Sequence, residues 1–510
     1  MAGTGVTVDG TSATITAGGD YLISGTLNAG QIRVESADDN IVKLILNGVN
    51  ITSALNAPIS VEQADKTVII LPPGSLNTVT DPASYTYVNS GDDEPNAAIF
   101  SKDDLSICGS GSLTINANYN DGLSCKDGLV INGGTLVVNA IDDGIRGKDY
   151  LVVKAGTITV NTAGDALKSD NDTDATMGYI LIEDGTLNLT STGADGFDAY
   201  TDALIKAGTI TVTTGGGSGV TPSDLISTKG IKGTQCVIVD NGTFTINSSD
   251  DAIHSNTDVL LDNGTYTLYT GDDAIHGDAT LTINSGTINI LTCVEGIESN
   301  EITLNGGDYH VTASDDAMNS SAGTDVEGDD GSCSYVYGGH IVLTATVGDG
   351  WDGNGDLVMT DGTVIIHGPS SDPEVIVDYN GTFNISGGLF IGSGSSSNMT
   401  QAPSSSSSQN SLKVMFTSSY AATTLFHLQT SAGAEVITFR PTHQYRSIVF
   451  SSSALQTGTT YQIYMGGSHS GVNTDGVYSG GTYTPGTLYT TFTVTQRVTS
   501  LGSSGPPSFP

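Results

Sequence analysis

The chain has 510 residues, with 55 acidic against 16 basic side chains, a formal net charge of -39 and a pI near 4.1. That charge argues against nucleic acid and anionic membranes as partners, and against a polyanionic sugar such as pectate unless a divalent cation bridges the two. An apolar content of 37% is too high for a disordered acidic polymer, and no apolar run is long enough to span a membrane.

Residues 1–40, which include "YLISGTLNAGQIRV", read as an N-terminal lead-in and cap. "MAGTGVTV" has neither a charged start nor an apolar core, so no signal peptide is visible. Either the protein is cytoplasmic or the chain begins after a cleavage site. The Ser, Thr, Gly and Asn-rich composition favours the second, a secreted or cell-surface protein. Coils are expected from "IVKLILNGVNITS" onward, over residues 41–400, with 72–98 as a surface loop.

Within that stretch a phrase returns, acid then Gly or Ala then an apolar residue, as in "DDGIRGKD". The acid falls at Asp121, Asp143, Asp165, Asp195, Asp251, Asp273, Glu295, Asp316 and Asp349, with a common step of 22 residues. Lys229 takes the slot in "TKGIKG", and the longer steps are one repeat plus an insertion. A second phrase, Gly-Thr followed by alternating apolar and polar residues ("AGTITVNT", "NGTFTINS"), has the period of a half-buried strand. A third short apolar run, such as "YLVVKAG", lies between them. Three short strands in about 22 residues make one coil of a right-handed parallel β-helix, an all-β fold. The nonapeptide period of a calcium β-roll is absent. Residues 401–500 lose both the phase and the acids and read as a small antiparallel β-sandwich-like module, able to cap the open end of the stack. Residues 501–510 read as a flexible tail.

Coils stack about 4.8 Å apart, so chemistry is read down columns. The apolar column, Leu123, Ile145, Leu167, Phe197, Ile231, Ile253, Ile275, Ile297, Met318 and Trp351, should point inward. This makes the lone Trp351 a core residue rather than a sugar platform. The following outward column runs Ser124, Arg146, Lys168, Asp198, Lys232, His254, His276, Glu298, Asn319 and Asp352. Like charges at this spacing repel by roughly 3 kcal/mol at an effective dielectric near 20. Two remedies fit. Cations such as Lys126, Arg146, Lys148, Lys168, Lys229 and Lys232 can interleave with the acids, or calcium, which takes six to eight oxygen ligands, can neutralise them. Turn formation alone explains any single Asp-Gly. It explains less well the pairs at 142–143, 250–251, 272–273 and 315–316.

The best calcium candidates are Asp142, Asp143 and Asp165 with the "KSDNDTDATMGY" insertion. There Asp170, Asp172 and Asp174 alternate like the opening of a calcium loop without its remainder. A second acidic insertion holds Asp325, Glu327, Asp329 and Asp330 and reads as a loop. His254 and His276 share a column, and pairing with Asp251 and Asp273 is expected rather than a metal site. The five cysteines have unrelated spacings and no C-x-x-C pair, so free thiols are expected.

The phrases "YNDGLSCKDGLVINGGT", "DDGIRGKDYLVVKAGTITV", "GDALKSDNDTD", "DDAIHSN", "EGIESNEITLNGG" and "YSGGTYTPGT" resemble the bacterial carbohydrate-binding domain family of secreted, clostridial-type β-helix proteins, whose fold is pectate-lyase-like. The resemblance covers nearly the whole chain. It implies a secreted or cell-surface protein that binds Ca2+ and engages plant cell-wall polysaccharide, cellulose or acidic pectin-type glycans. It carries no catalytic motif. Three functions follow. A non-catalytic binder would use Asp121, Arg146, Lys168 and Asp195 with Tyr119, Tyr150 and Tyr200 for stacking. A calcium-dependent polysaccharide lyase would need a base, for which Arg146, Lys148 and Lys168 are the candidates beside Asp142, Asp143 and Asp165. An adhesin would use the coils as a spacer.

Overall fold

The structure, a computed structural model, describes residues 5–502 apart from 88, 90, 224 and 324–327. Asp325 and Glu327 of the second acidic insertion, and 503–510 of the tail, lie outside the described residues. Every regular element among the described residues is a strand. The chain divides into two compact units, Met1–Asp272 and Asp273–Pro510.

The first unit is a parallel β-helix. One coil contains strands Ile145–Gly147, Tyr150–Val153 and Thr157–Thr162. The next contains Leu167–Ser169, Tyr179–Ile182 and Thr186–Ser191, paired parallel and in register, Ile145 on Leu167, Tyr150 on Tyr179 and Thr157 on Thr186. Identical phrases stack because the side-chain period of 2 lets only one register bury every Ile, Val and Leu. Leu123, Ile145, Leu167, Phe197, Ile231 and Ile253 form the inward column, each fully buried. On the outside, Asn161 Nδ2 donates to Asn139 Oδ1 at 3.1 Å and Asn139 Nδ2 to Asn116 Oδ1 at 3.0 Å, an amide ladder that pins the same register.

Gly144 and Gly147 of "DDGIRGKD" are needed for close approach, not for a left-handed backbone. A Cβ on Gly144 would lie 2.3 Å from Val160 Cγ1, and one on Gly147 2.3 Å from the Tyr150 carbonyl oxygen. The left-handed turn sits in the Gly-Thr phrase instead, as at Gly156 with φ of 120°. The insertions fall between strands, after Ser169 and after Thr214.

Two boundaries differ from expectation. Parallel stacking starts before residue 41, with Ser12–Ile15 on Gln31–Glu35 and Gly19–Asn28 on Val42–Thr52. Val6–Asp9 folds back antiparallel on Ser12–Ile15 and covers that edge. Within 72–98, Leu76–Thr80 is a coil strand paired with Ser112–Asn116, because "LNTVT" alternates and buries Val79.

The second unit continues the pattern in its own coils. Ile275–Ile283 pairs with Ile297–Leu304, and Asp308–Ala313, His340–Ala345, Thr363–His367 and Leu389–Gly394 stack in turn. Met318 and Trp351 are fully buried, Trp351 edge-on to Phe383 with centroids 5.3 Å apart. Leu389–Gly394 then pairs antiparallel with Tyr445–Ser451, which ends the parallel run. A six-stranded sheet formed by Val472–Thr474, Val477–Ser479, Glu435–Phe439, Phe426–Thr430, Thr460–Met465 and Thr487–Thr493 follows. Its core, with Phe426, Phe439 and Ile463, is shared with Val342, Ile365 and Ile391, a superposed outer stripe of the coils. Those coils depart from alternation ("HIVLTA", "TVIIH", "LFIGSG") because both faces are covered. All five cysteines are free.

Candidate functional site

The acid column of the first unit, expected at the surface, is buried: Asp121, Asp143, Asp165, Asp195 and Asp251 are 1–6% exposed. Three of these carboxylates turn along the stack rather than out of it. Asp143 Oδ1 accepts the backbone N–H of Asp165 at 2.9 Å, Asp165 Oδ1 that of Asp195 at 2.9 Å, and Asp195 Oδ1 that of Lys229 at 2.7 Å. The acids therefore satisfy turn amides that a buried corner would otherwise leave unpaired.

The remaining charge is met by cations of the next column. Lys168 Nζ lies 2.5 Å from Asp165, 3.4 Å from Asp143 and 3.8 Å from Asp198. Lys232 Nζ lies 3.1 Å from Asp198 and 3.4 Å from Asp195, and Lys229 Nζ 2.6 Å from both Asp250 and Asp251. His254 Nδ1 is 2.8 Å from Asp251, and against the penalty of burial His254 and Lys229 hold that carboxyl far below its usual range. Asp121 has only the amides of Asn96 and Asn120, at 3.1 and 2.9 Å, and burial followed by repulsion from Asp143 pushes it up to about 7. Asp165 and Asp195 are each raised to about 6, burial again being the largest cause.

The remaining residues singled out from the sequence spread around this column. Arg146 grips Asp170 through Nε at 3.1 Å and Nη2 at 2.5 Å. Asp142, Asp172 and Asp174 are exposed, and Asp174 Oδ1 accepts from the Thr176 amide at 2.9 Å. Lys148 is half-buried. Tyr119 stacks on Tyr85 at 4.1 Å and Tyr150 on Tyr179 at 5.6 Å, while Tyr200 is 46% exposed.

The second unit repeats the acid column with a different complement. Asp316 Oδ1 accepts the Asp349 amide at 2.5 Å, and Asp349 Oδ1 accepts that of Val375. The neighbouring column reads Glu298, Asn319, Asp352 in register, with Asp378 on the following coil. No Lys or Arg occurs between Lys232 and Lys413, so nothing here plays the part of Lys168. Burial, then mutual repulsion, pushes Glu295, Asp316 and Asp352 up to about 7 and Glu298 and Asp349 to about 8; burial also raises Asp378. His276 Nδ1 stands 3.2 Å from Asp273 and 3.6 Å from Glu298, and atoms of these three residues come within 4.8 Å of one another.

Asn319 is decisive. It is 8% exposed and its Nδ2 donates to Glu295 Oε2 at 2.9 Å, yet its Oδ1 is buried without a hydrogen-bond partner. An orphan oxygen among carboxylates is a donor set suited to a hard divalent cation. These residues lie in the acid and outward columns of the repeat, and the gap in Lys and Arg after Lys232 is the feature of the sequence that marks them.

A family model described as a carbohydrate-binding domain-containing protein matches residues 9–274 and again 272–484. A carbohydrate-binding domain-containing protein of Acetivibrio thermocellus is 43% identical over 212 residues, which cover 42% of this chain and 74% of that protein. Among solved structures, the polysaccharide lyase-like protein from C. thermocellum, as a gadolinium derivative, is 28% identical over 56% of this chain and 91% of its own, with a TM-score of 0.40. With the family model matching most of the chain, over 9–274 and 272–484, the chain belongs to the carbohydrate-binding domain-containing protein family.

Proposed function

We propose that the protein is a non-catalytic, calcium-dependent binder of acidic cell-wall polysaccharide, working outside the cell. Calcium held by the second unit's carboxylate columns would bridge uronate groups to an otherwise repellent surface. The observation that carries this reading is the buried, unpartnered Oδ1 of Asn319, set among Glu295, Glu298, Asp316 and Asp352 with no Lys or Arg in that stretch. Those side chains offer only oxygen donors, which suits calcium. The calcium would neutralise the columns and leave coordination positions for sugar oxygens. The loop of Asp170, Asp172 and Asp174 is the weaker candidate, since Asp170 is already committed to Arg146. Outer-face tyrosines such as Tyr200 would stack on sugar rings.

Two of the three candidate bases of the lyase alternative, Arg146 and Lys168, are engaged in ion pairs with Asp170 and with Asp143 and Asp165. Against the penalty of burial, Asp165 and Asp143 raise Lys168 above its ordinary value, and Asp170 raises Arg146. A general base must be able to give up its proton near the working pH. Retention on polygalacturonate gel and on cellulose, with calcium and then with chelator, tests the reading. Retention on polygalacturonate should need calcium, and no unsaturated product absorbing in the ultraviolet should accumulate. Unchanged retention in chelator would remove the calcium bridge, and a growing absorbance would restore the lyase.

A further inference from the structure

The second unit holds another cluster, away from the carboxylate columns and different in chemistry. Strands Asp308–Ala313 and His340–Ala345 are neighbours on the coil stack, with Asp308 in register with His340. Asp308 and His310 are two residues apart on one strand and so share a face. The hairpin of Val472–Thr474 and Val477–Ser479 delivers a carboxylate to that face from the C-terminal module. Its turn, Asp475-Gly476, has φ of 50° and 94°, and Asn473 Oδ1 accepts the Gly476 amide at 2.9 Å, so the tip is held firmly. Asp475 Oδ1 is 3.2 Å from His310 Nε2, and its Oδ2 is 2.8 Å from His340 Nε2.

Four side chains from two strands and a turn thus converge. Asp308 Oδ1 is 3.7 Å from His310 Nδ1, and one ligand atom from each of Asp308, His310 and His340 lies within 4.8 Å of the others. Zinc holds nitrogen and oxygen ligands at about 2.0–2.2 Å, which puts ligand atoms roughly 3.5 Å apart. Asp308 faces His310 Nδ1 while Asp475 faces its Nε2, so a single ion would take one His310 nitrogen and draw the other side chains toward it, and exposure leaves them room to move, His310 being 37% and Asp308 53% exposed. The support behind the ligands is built. The Thr442 amide donates to His367 Nδ1 at 3.3 Å, which leaves His367 Nε2–H to donate to the Asp475 carbonyl oxygen at 3.3 Å. Such outer contacts orient metal ligands. His310 and Asp475 also line a cavity of about 670 Å³ with Arg440 and Thr442, leaving room for a water or a ligand beside them.

We infer that Asp308, His310, His340 and Asp475 form a site for a divalent transition metal of the zinc class, which pins the module's hairpin to the coils. Imidazole nitrogens select such metals over calcium, which takes oxygen ligands, so this site and the carboxylate columns should fill independently.

The test uses the full chain, stripped of metal and then titrated with cobalt(II) in excess calcium. One equivalent should bind and give the visible bands of tetrahedral cobalt without a thiolate charge-transfer band, which separates the site from the five free cysteines. Zinc should displace it. His310→Gln/His340→Gln keeps polar side chains opposite Asp475 but should abolish the bands, and Asp475→Asn should weaken binding at least tenfold. His276→Gln should leave the bands unchanged. Absence of the bands in the native chain, or their persistence in the double Gln variant, would overturn the site. Should an Ala pair fail to fold, the Gln pair and the native titration still decide.

Discussion

At the scale of single residues, the buried acids Asp143, Asp165 and Asp195 do two jobs, capping a turn amide and holding a cation. Asp195 shows both, accepting from the Lys229 amide and from Ser227 Oγ at 2.7 Å while facing Lys232. Asp195→Ala strands the Lys229 amide and the Ser227 hydroxyl, while Lys232 keeps Asp198, and should destabilise the unit by about 1–3 kcal/mol, the usual cost of leaving a buried polar group unsatisfied, measured by urea unfolding. Asp195→Asn, which keeps an acceptor, should cost less. The raised carboxyls also set a pH dependence. Asp121, Glu295, Asp316 and Asp352 near 7, with Glu298 and Asp349 near 8, hold protons in the folded chain that an unfolded chain has released. Their contribution to stability is present below the unfolded value near 4 and is lost as pH rises through 7 to 8. Metal-free protein should therefore melt at a lower temperature at pH 8.5 than at pH 5. Calcium should restore the melting temperature at pH 8.5 and do little at pH 5, where protons occupy the same oxygens. A melting temperature that rises between pH 5 and pH 8.5 without metal would refute this.

At the scale of elements, the coil was the most legible part of the sequence, because a repeat writes the same side-chain demand many times. Ile145 could be assigned inward from its place between Asp143 and Arg146, and it is fully buried. Ile145→Ala should cost about 2–5 kcal/mol, since neighbours on both sides in the column prevent collapse into the void, again read by urea unfolding. The direction of the acids was not legible. Spacing gives the phase of Asp143 along the chain but not the turn of its side chain toward the Asp165 amide, a tertiary choice made by an unsatisfied donor. The C-terminal contact was written in the sequence as lost alternation at Val342, Ile365 and Ile391. Ile365→Asp should open the core shared with Phe426 and Phe439, seen as faster proteolysis after residue 400 with the coils intact. Unchanged proteolysis would show that the stripe does not hold the module.

At the scale of the whole molecule, one architecture carries two electrostatic solutions. Up to Lys232 most of the column's acids are met by Lys, Asp121 being the exception; from there to Lys413 the sequence has no Lys or Arg. His310, His340 and Asp475 illustrate what a one-dimensional reading misses, since the hairpin that brings Asp475 to the coils is 135 residues from His340. A net charge of -39 makes the same point about partners: an acidic glycan approaches this surface only with cations in between. On the proposed reading those cations sit on the second unit's columns. Calcium titration calorimetry at pH 8 on the native chain, on Glu298→Gln/Asp352→Asn, and on Asp172→Asn/Asp174→Asn decides this. Calcium should bind the native chain with proton release, at least tenfold weakened by the first pair of changes and unaffected by the second. Absence of calcium binding, or full affinity in Glu298→Gln/Asp352→Asn, would contradict that reading.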